Sequence, residues 1–211
     1  MNKDKRVRMT ARERRAQLLD VGRSLFAERG YEATSIEEIA KQAKITKPVV
    51  YEHFGGKEGL YAVIVDREVE GLLGRISSAL DADHPRMKLW QAANAFLAYI
   101  EAEPDGFRIL VRDSPVASSS GTLASVIGDI ASQVEHILGE EFGARGYERR
   151  LAEMYSQALV GMVALVGQWW LDAGEPDKEV VASHLVNLAW NGLSDLDPKP
   201  APPDKQEVAG H

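Results

Sequence analysis

The chain has 211 residues, 45% hydrophobic and 27% charged, with a formal net charge of −7 and no cysteine. That is enough for one small reading unit plus a core of ordinary domain size, and it excludes disulfides and thiolate chemistry. Taken as a whole, the acidic balance argues against a nucleic-acid partner.

The charge is unevenly spread. Residues 1–60 carry 13 Lys/Arg and 9 Asp/Glu, a balance of +4, whereas residues 61–211 carry 12 and 23, a balance of −11. Much of the basic excess lies in Lys3, Lys5, Arg6, Arg8, Arg12, Arg14 and Arg15, an arm and first helical turns able to neutralise phosphates; the alternative is a solvated terminus. The N-terminus has no apolar signal core, and the most apolar run, Leu159 to Leu171, is interrupted by Gln168 and too short to span a bilayer. A cytoplasmic protein with no membrane partner is expected.

A first helix is predicted over Arg12–Arg29, with Leu18, Val21, Leu25 and Phe26 on one side and Gly30 as its stop. Ser35 followed three residues later by Glu38 is a capping box, so a second helix starts at Ile36. Its Ile36, Ile39, Ala40 and Ala43 form an inward stripe of small and apolar side chains. Lys44 and Ile45 break the helix. Thr46 is a good N-cap for a third helix, with Pro48 in its first turn and Gly55-Gly56 at its end. Val50 and Phe54 face inward, leaving Lys47, Val49, Tyr51, Glu52 and His53 outside. Two short helices joined by a tight turn, the second presented outward, are the arrangement that enters the major groove of DNA.

A fourth helix is expected from Lys57 to about Leu80, long enough to act as one rigid lever between a reading unit and a distant core. A fifth runs from His84-Pro85 to about Ala102, and a short sixth from Pro104 to before Pro115. Ser118–Gly121 reads as a flexible link. Helices seven (about Thr122–Glu140), eight (about Tyr147–Asp172) and nine (about Pro176–Leu193) follow, and the Pro-rich tail from Asp197 is expected to be disordered. The fold class is therefore all-α, with about nine helices. A helix-turn-helix domain is expected over residues 1–56, a helical effector-binding and dimerisation domain over 57–196, and a tail over 197–211.

Helices eight and nine are apolar nearly all round, so they must be covered on all sides. Leu159, Val163, Val166 and Trp170, with Val181, Leu185 and Leu188, are the candidate seam of a dimer; the alternative is that they fill the chain's own core. Gly161 and Gly167 would permit close helix approach. An apolar pocket with a few placed polar groups is sought among Trp90, Asn94, Phe96 and Tyr99, Phe107, Arg108 and Arg112, His136, Met162 and Trp169. Arg108 and Arg112, one turn apart, suit either an anionic, partly apolar ligand or surface pairing with Glu101, Glu103 or Asp113. No cofactor is expected and no metal, since His and carboxylates show no ligand spacing, and neither a serine elbow nor a phosphate loop suggests an enzyme.

Gly30-Tyr31, Thr34-Ser35-Ile36, Ile39-Ala40, Lys47-Pro48, Tyr51, His53-Phe54 and Lys57-Glu58-Gly59-Leu60 together resemble the DNA-binding domain of the TetR family of bacterial transcriptional regulators. The resemblance implies a homodimer pairing through its last two helices, with two reading helices about 34 Å apart on a palindromic operator. It implies DNA contacts from Lys47, Val49, Tyr51 and His53, and a phosphate contact from Lys57. Chemistry refines this: Lys47 and His53 suit guanine or phosphate, Val49 a thymine methyl, the Tyr51 hydroxyl a phosphate. Lys57 sits at a helix N-terminus that offers free amides. His53 alternatively makes an orienting hydrogen bond. Ser35 and Thr46 belong to the same surface chiefly as caps. Lys44 stands at a turn position where the family often has glycine; if that turn needs positive φ, lysine adds strain of about 1 kcal/mol.

The resemblance also implies a small-molecule effector in a pocket among helices four to eight. Ile100-Glu101, Asp105-Gly106-Phe107-Arg108, Leu159-Val160-Gly161-Met162, Trp170-Leu171-Asp172 and Leu188 to Ser194 are similar to actinobacterial regulators of fatty-acid synthesis that respond to acyl-CoA. A repressor released from its operator by a largely apolar ligand is the expectation; the alternative is an activator, or a DNA-binding protein that needs no ligand.

Overall fold

A computed structural model describes residues 9–81, 84–112, 123–194 and 196–197. The basic residues Lys3, Lys5, Arg6 and Arg8, the expected link at Ser118–Gly121 and the tail beyond Asp197 lie outside the described residues. Among the described residues there are nine helices and no strand: α1 (Ala11–Ala33), α2 (Ile36–Gln42), α3 (Lys47–Phe54), α4 (Lys57–Ala79), α5 (Pro85–Ala102), α6 (Pro104–Val111), α7 (Leu123–Ala144), α8 (Leu151–Ala173) and α9 (Lys178–Ser194).

The ends are set by local chemistry. Thr10 accepts from the Glu13 amide while Glu13 reaches back to the Thr10 amide, a capping box that starts α1. Gly30, at φ 82°, breaks the helical path inside α1, and one further turn runs to Ala33. The Ser35–Glu38 box forms in both directions, at 3.2 and 3.1 Å. Lys44 adopts φ 56°, so the turn does need a left-handed residue where the family often has glycine. Thr46 stands at the N-cap of α3, but its hydroxyl makes no capping bond, a departure from the sequence expectation. α3 ends on left-handed Gly55.

The first three helices close over Leu18, Leu25, Phe26, Ile39, Val50 and Leu60. α4, about 35 Å long, belongs to both halves of the molecule. Its first turns bury Leu60, Tyr61, Ile64 and Val65 against the head, and its last turns bury Leu72, Ile76 and Leu80 in the second core. Gly59 is where α4 meets the end of α3: a Cβ there would lie 2.0 Å from the Phe54 carbonyl oxygen. α5 packs between α4 and α9, α7 pairs with α8, and α6 crosses back to touch α1. Gly167 lets α8 approach α5, since its missing Cβ would stand 2.2 Å from the Phe96 ring.

Candidate nucleic-acid interface and ligand cavity

α3 presents Lys47, Tyr51 and Glu52 outward, with Val49 and His53 half-buried beside them and Val50 anchored in the core. The Lys47 ammonium is paired with the Glu37 carboxylate of α2, which holds that carboxyl below the usual carboxylate range. Tyr51 is 54% exposed, so its hydroxyl is available to an incoming phosphate. Lys57 lies 4.2 Å over the Tyr31 ring and donates to the Glu32 carbonyl at 3.4 Å, so its ammonium is held at the start of α4. Ser35 is occupied with its cap, and Glu38 is further fixed by Arg29 at 2.5 Å. Its hydrogen bonds from Ser35, ahead of Arg29, lower the Glu38 pKa.

Two side chains of α1 hold the reading unit together in a way that sequence reasoning missed. Arg15 donates to the His53 carbonyl at 3.1 Å and stacks 4.4 Å over Phe54, so it caps the end of α3. Gln17 donates to the Ala43 carbonyl at 3.3 Å, at the end of α2. Both satisfy carbonyls that a helix terminus leaves unpaired. Arg15 looked like one more charge for phosphates, and nothing in its local pattern distinguished it from Arg12 or Arg14.

The second core contains two adjoining apolar cavities. The first, about 80 Å³, opens between α5, α7 and α9 and is lined by Leu89, Ile137, Phe142 and Trp190, with Lys88 and Arg145 at its rim. The second, about 70 Å³, lies deeper, against Ile76, Ala93, Phe96, Val126, Val160 and Val163. Leu80, Leu89 and Val134 line both. Each is about half the ~150 Å³ cavity known to hold a benzene ring, so a larger guest must spread the helices to enter.

Several expected pocket residues lie elsewhere. Trp169 is 56% exposed on the outer face of α8. Arg108 pairs with Asp105 at 3.3 Å, and Arg112 donates to the Phe26 carbonyl at 3.4 Å, so both brace α6 beside α1 outside the cavities. Among the described residues neither arginine pairs with Glu101 or Glu103, and Asp113 lies outside the described residues. Phe107 is fully buried and meets the cavity wall only through the edge of Phe96, at 5.5 Å. Trp90 donates to Ser183 of α9 at 3.3 Å, and Asn94 lines neither cavity, its buried Oδ1 having no hydrogen-bond partner among the described residues. Met162 lies in a shallow groove between α8 and α9 with Tyr155 and Leu188. His136 is on the surface near Glu140, and Tyr99 is buried under the head.

The proposed seam also divides. Trp170, Val181 and Leu185 are buried in the chain's own core, and the Trp170 indole donates to the Pro176 carbonyl at 2.7 Å. Leu159 and Val163 line the deeper cavity, Val166 packs half-buried on the core, and of the seven only Leu188, at 65% exposure, is outside. The large exposed apolar side chains on these helices are Met154, Leu165, Trp169, Val180 and Leu188. An all-round apolar helix has no polar face to mark its outer side, and Gly167 against Phe96 fixes the inner one.

A capped helix-turn-helix with α3 turned outward, joined by one rigid helix to a hollow helical core, defines a DNA-binding regulator. The chain belongs to the TetR family: residues 18–64 match the model for bacterial regulatory proteins of the tetR family, and residues 75–204 match the tetracyclin repressor-like C-terminal domain. It is 32% identical over 193 residues to the HTH-type transcriptional activator FasR of Mycolicibacterium smegmatis, covering 89% of this chain and 86% of that protein. A TetR-like regulator from Rhodococcus sp. RHA1 superposes with a TM-score of 0.74 at 28% identity, covering 89% of this chain and 99% of that one. PfmR from Thermus thermophilus shares the fold, with a TM-score of 0.70 at 24% identity over 89% and 98% of the chains. The protein is a DNA-binding transcriptional regulator rather than a catalyst. No helix among the described residues is long and apolar enough to cross a membrane.

Proposed function

We propose that the chain acts in the cytoplasm as a homodimer on a palindromic operator, and that a largely apolar, acyl-CoA-like small molecule releases it to relieve repression. The observation that carries this reading is the double attachment of α4. One helix lines the deeper cavity with Ile76 and Leu80 and carries the DNA-reading head on Leu60, Tyr61 and Ile64. A guest that spreads the cavity must displace the far end of that rod, and a rigid rod transmits the displacement. Lys88 and Arg145 at the rim suit an anionic group left outside while its apolar part enters.

On DNA, Lys47, Val49, Tyr51 and His53 read or position from α3, Thr46 stands at its start, and Lys57 takes a phosphate. Residues 1–56 make up the reading domain and 57–196 the effector and dimer domain, with 197–211 as a tail. The exposed Leu165, Trp169 and Leu188 support pairing of two copies. The test is a gel shift on the chain's own upstream DNA with palmitoyl-CoA titrated in. Release with saturation is expected; unchanged DNA binding together with no thermal stabilisation on adding palmitoyl-CoA or free fatty acids would remove the effector from this reading.

A second reading is favoured by the activator name of the M. smegmatis relative. The same DNA surface and cavity would then serve a protein bound upstream of a promoter. A reporter fusion separates the two, because deleting the regulator raises expression under repression and lowers it under activation.

A further inference from the structure

We propose that Tyr99, Glu68 and Arg23, with Glu103, are positioning residues for DNA reading: a polar lock that fixes the angle of the head on the effector core. The lock joins three helices at one carboxylate and reaches the start of a fourth through Arg23. The Tyr99 hydroxyl on α5 donates to Glu68 Oε2 on α4 at 2.6 Å, and Arg23 Nε on α1 forms an ion pair with Glu68 Oε1 at 3.2 Å without the alignment of a hydrogen bond. The same guanidinium donates to Glu103 Oε2, ahead of α6, at 2.5 Å. Arg75 lies over the Tyr99 ring at 5.3 Å and 3.9 Å from Glu103 Oε1. α6 closes over the group at Gly106, where a Cβ would stand 2.0 Å from Glu68 Oε2 and 2.9 Å from the Tyr99 oxygen.

Apolar packing alone would attach the head without setting its angle. Tyr99 is 1% exposed and the Glu68 side chain 12%, so a charged group has been brought out of water where leucine would cost less. What the charge supplies is direction, because the hydrogen bonds from Tyr99 to Glu68 and from Arg23 to Glu103 weaken steeply off axis. The lock also touches the cavity: Phe96, which lines it, is one turn before Tyr99 on α5, and Ile76, which also lines it, is next to Arg75 on α4. A guest that shifts either turn moves the Tyr99 hydroxyl or Arg75 relative to Glu68. The lock rests on α3 being the reading helix and needs neither a particular ligand nor a particular sign of regulation.

Because the chain has no cysteine, spin labels placed through Lys41→Cys on α2 and Glu135→Cys on α7 report only those two sites. The labelled full-length protein, diluted with excess unlabelled chain, gives the intrachain head-to-core distance distribution without DNA or ligand. Wild type is expected to give one narrow peak, and Tyr99→Phe and Glu68→Gln a broad one, with melting retained. Arg23→Gln, altered from the exposed side of the lock, replaces Glu68→Gln if that variant fails to fold. On operator fragments selected from genomic DNA the same variants should bind about tenfold more weakly, with binding to unrelated DNA unchanged and the double variant no worse than either single one. Unchanged distance distributions in folded variants would overturn the lock, as would equal weakening on operator and unrelated DNA. Failure of palmitoyl-CoA to release DNA would count against the effector reading and leave these measurements standing.

Discussion

Gly167→Ala tests how tightly the effector core is built. The new Cβ would lie 2.2 and 3.1 Å from two Phe96 ring carbons and 2.8 Å from Ile100 Cδ1, where carbon pairs normally rest about 3.5–4.0 Å apart. Phe96 is 4% exposed and Ile100 2%, so neither can turn toward solvent; the open direction is the cavity that Phe96 lines. Overpacking of this kind costs about 1–3 kcal/mol, while exchanging glycine for alanine inside a helix returns about 1 kcal/mol. Gly74→Ala on α4 is the control, because nothing stands within 4 Å of the position its new methyl would take. The propensity gain cancels between the two variants, so Gly167→Ala should melt roughly 2–12 °C below Gly74→Ala. The assay is thermal unfolding followed by circular dichroism at one protein concentration, since pairing would make the midpoint concentration-dependent. If the two variants melt together, α8 does not sit tightly on Phe96, and the cavity wall is softer than these distances require.

Lys47→Ala should weaken binding to operator and unrelated DNA alike and reduce the salt dependence of binding by about one counterion, measured by fluorescence anisotropy across a salt series; an unchanged slope would place Lys47 off the phosphates. Trp169→Glu, on the exposed apolar face of α8, should convert a dimer to a monomer of unchanged helicity in light scattering, and a persisting dimer would move the interface elsewhere. The Glu38 pKa is lowered by its hydrogen bonds from Ser35, so its contribution to stability is complete above the unfolded value near 4.5 and fades as pH falls through the lower folded value. Urea unfolding of wild type and Glu38→Gln should therefore differ at pH 7 and converge in acid; a gap that widens below pH 4 would contradict the capping box as the cause.

The reading head was legible residue by residue. Ser35 and Glu38 set the start of α2, Lys44 and Gly55 mark left-handed turns, and Val50 and Phe54 give α3 its inner side, all through interactions spanning a few residues. The Thr46 hydroxyl, which makes no capping bond, is a miss of rotamer rather than of position. Arg15 and Gln17 were not legible in their role, because the carbonyls they cap are 38 and 26 residues away. The effector region was legible as helices but not as a site. Aromatic and polar side chains were the natural candidates, yet the cavity walls are mostly aliphatic, and Trp169, Arg108 and Arg112 point elsewhere.

By itself, the sequence determined the all-α class, the helix boundaries to within a few residues in most cases, the basic head on an acidic body and the helix-turn-helix with α3 turned outward. Periodicity, caps and glycines act over one or two turns, so their physics is complete within a short stretch of chain. Only the tertiary structure decided which side of α8 and α9 is inside, where the cavities open and that Tyr99, Glu68, Arg23 and Glu103 meet. Those outcomes depend on contacts between helices far apart in sequence, and an apolar surface does not specify which partner covers it. Gly161 and Gly167 show the difference: six residues apart on one helix, one has open space where its side chain would be and the other presses against Phe96.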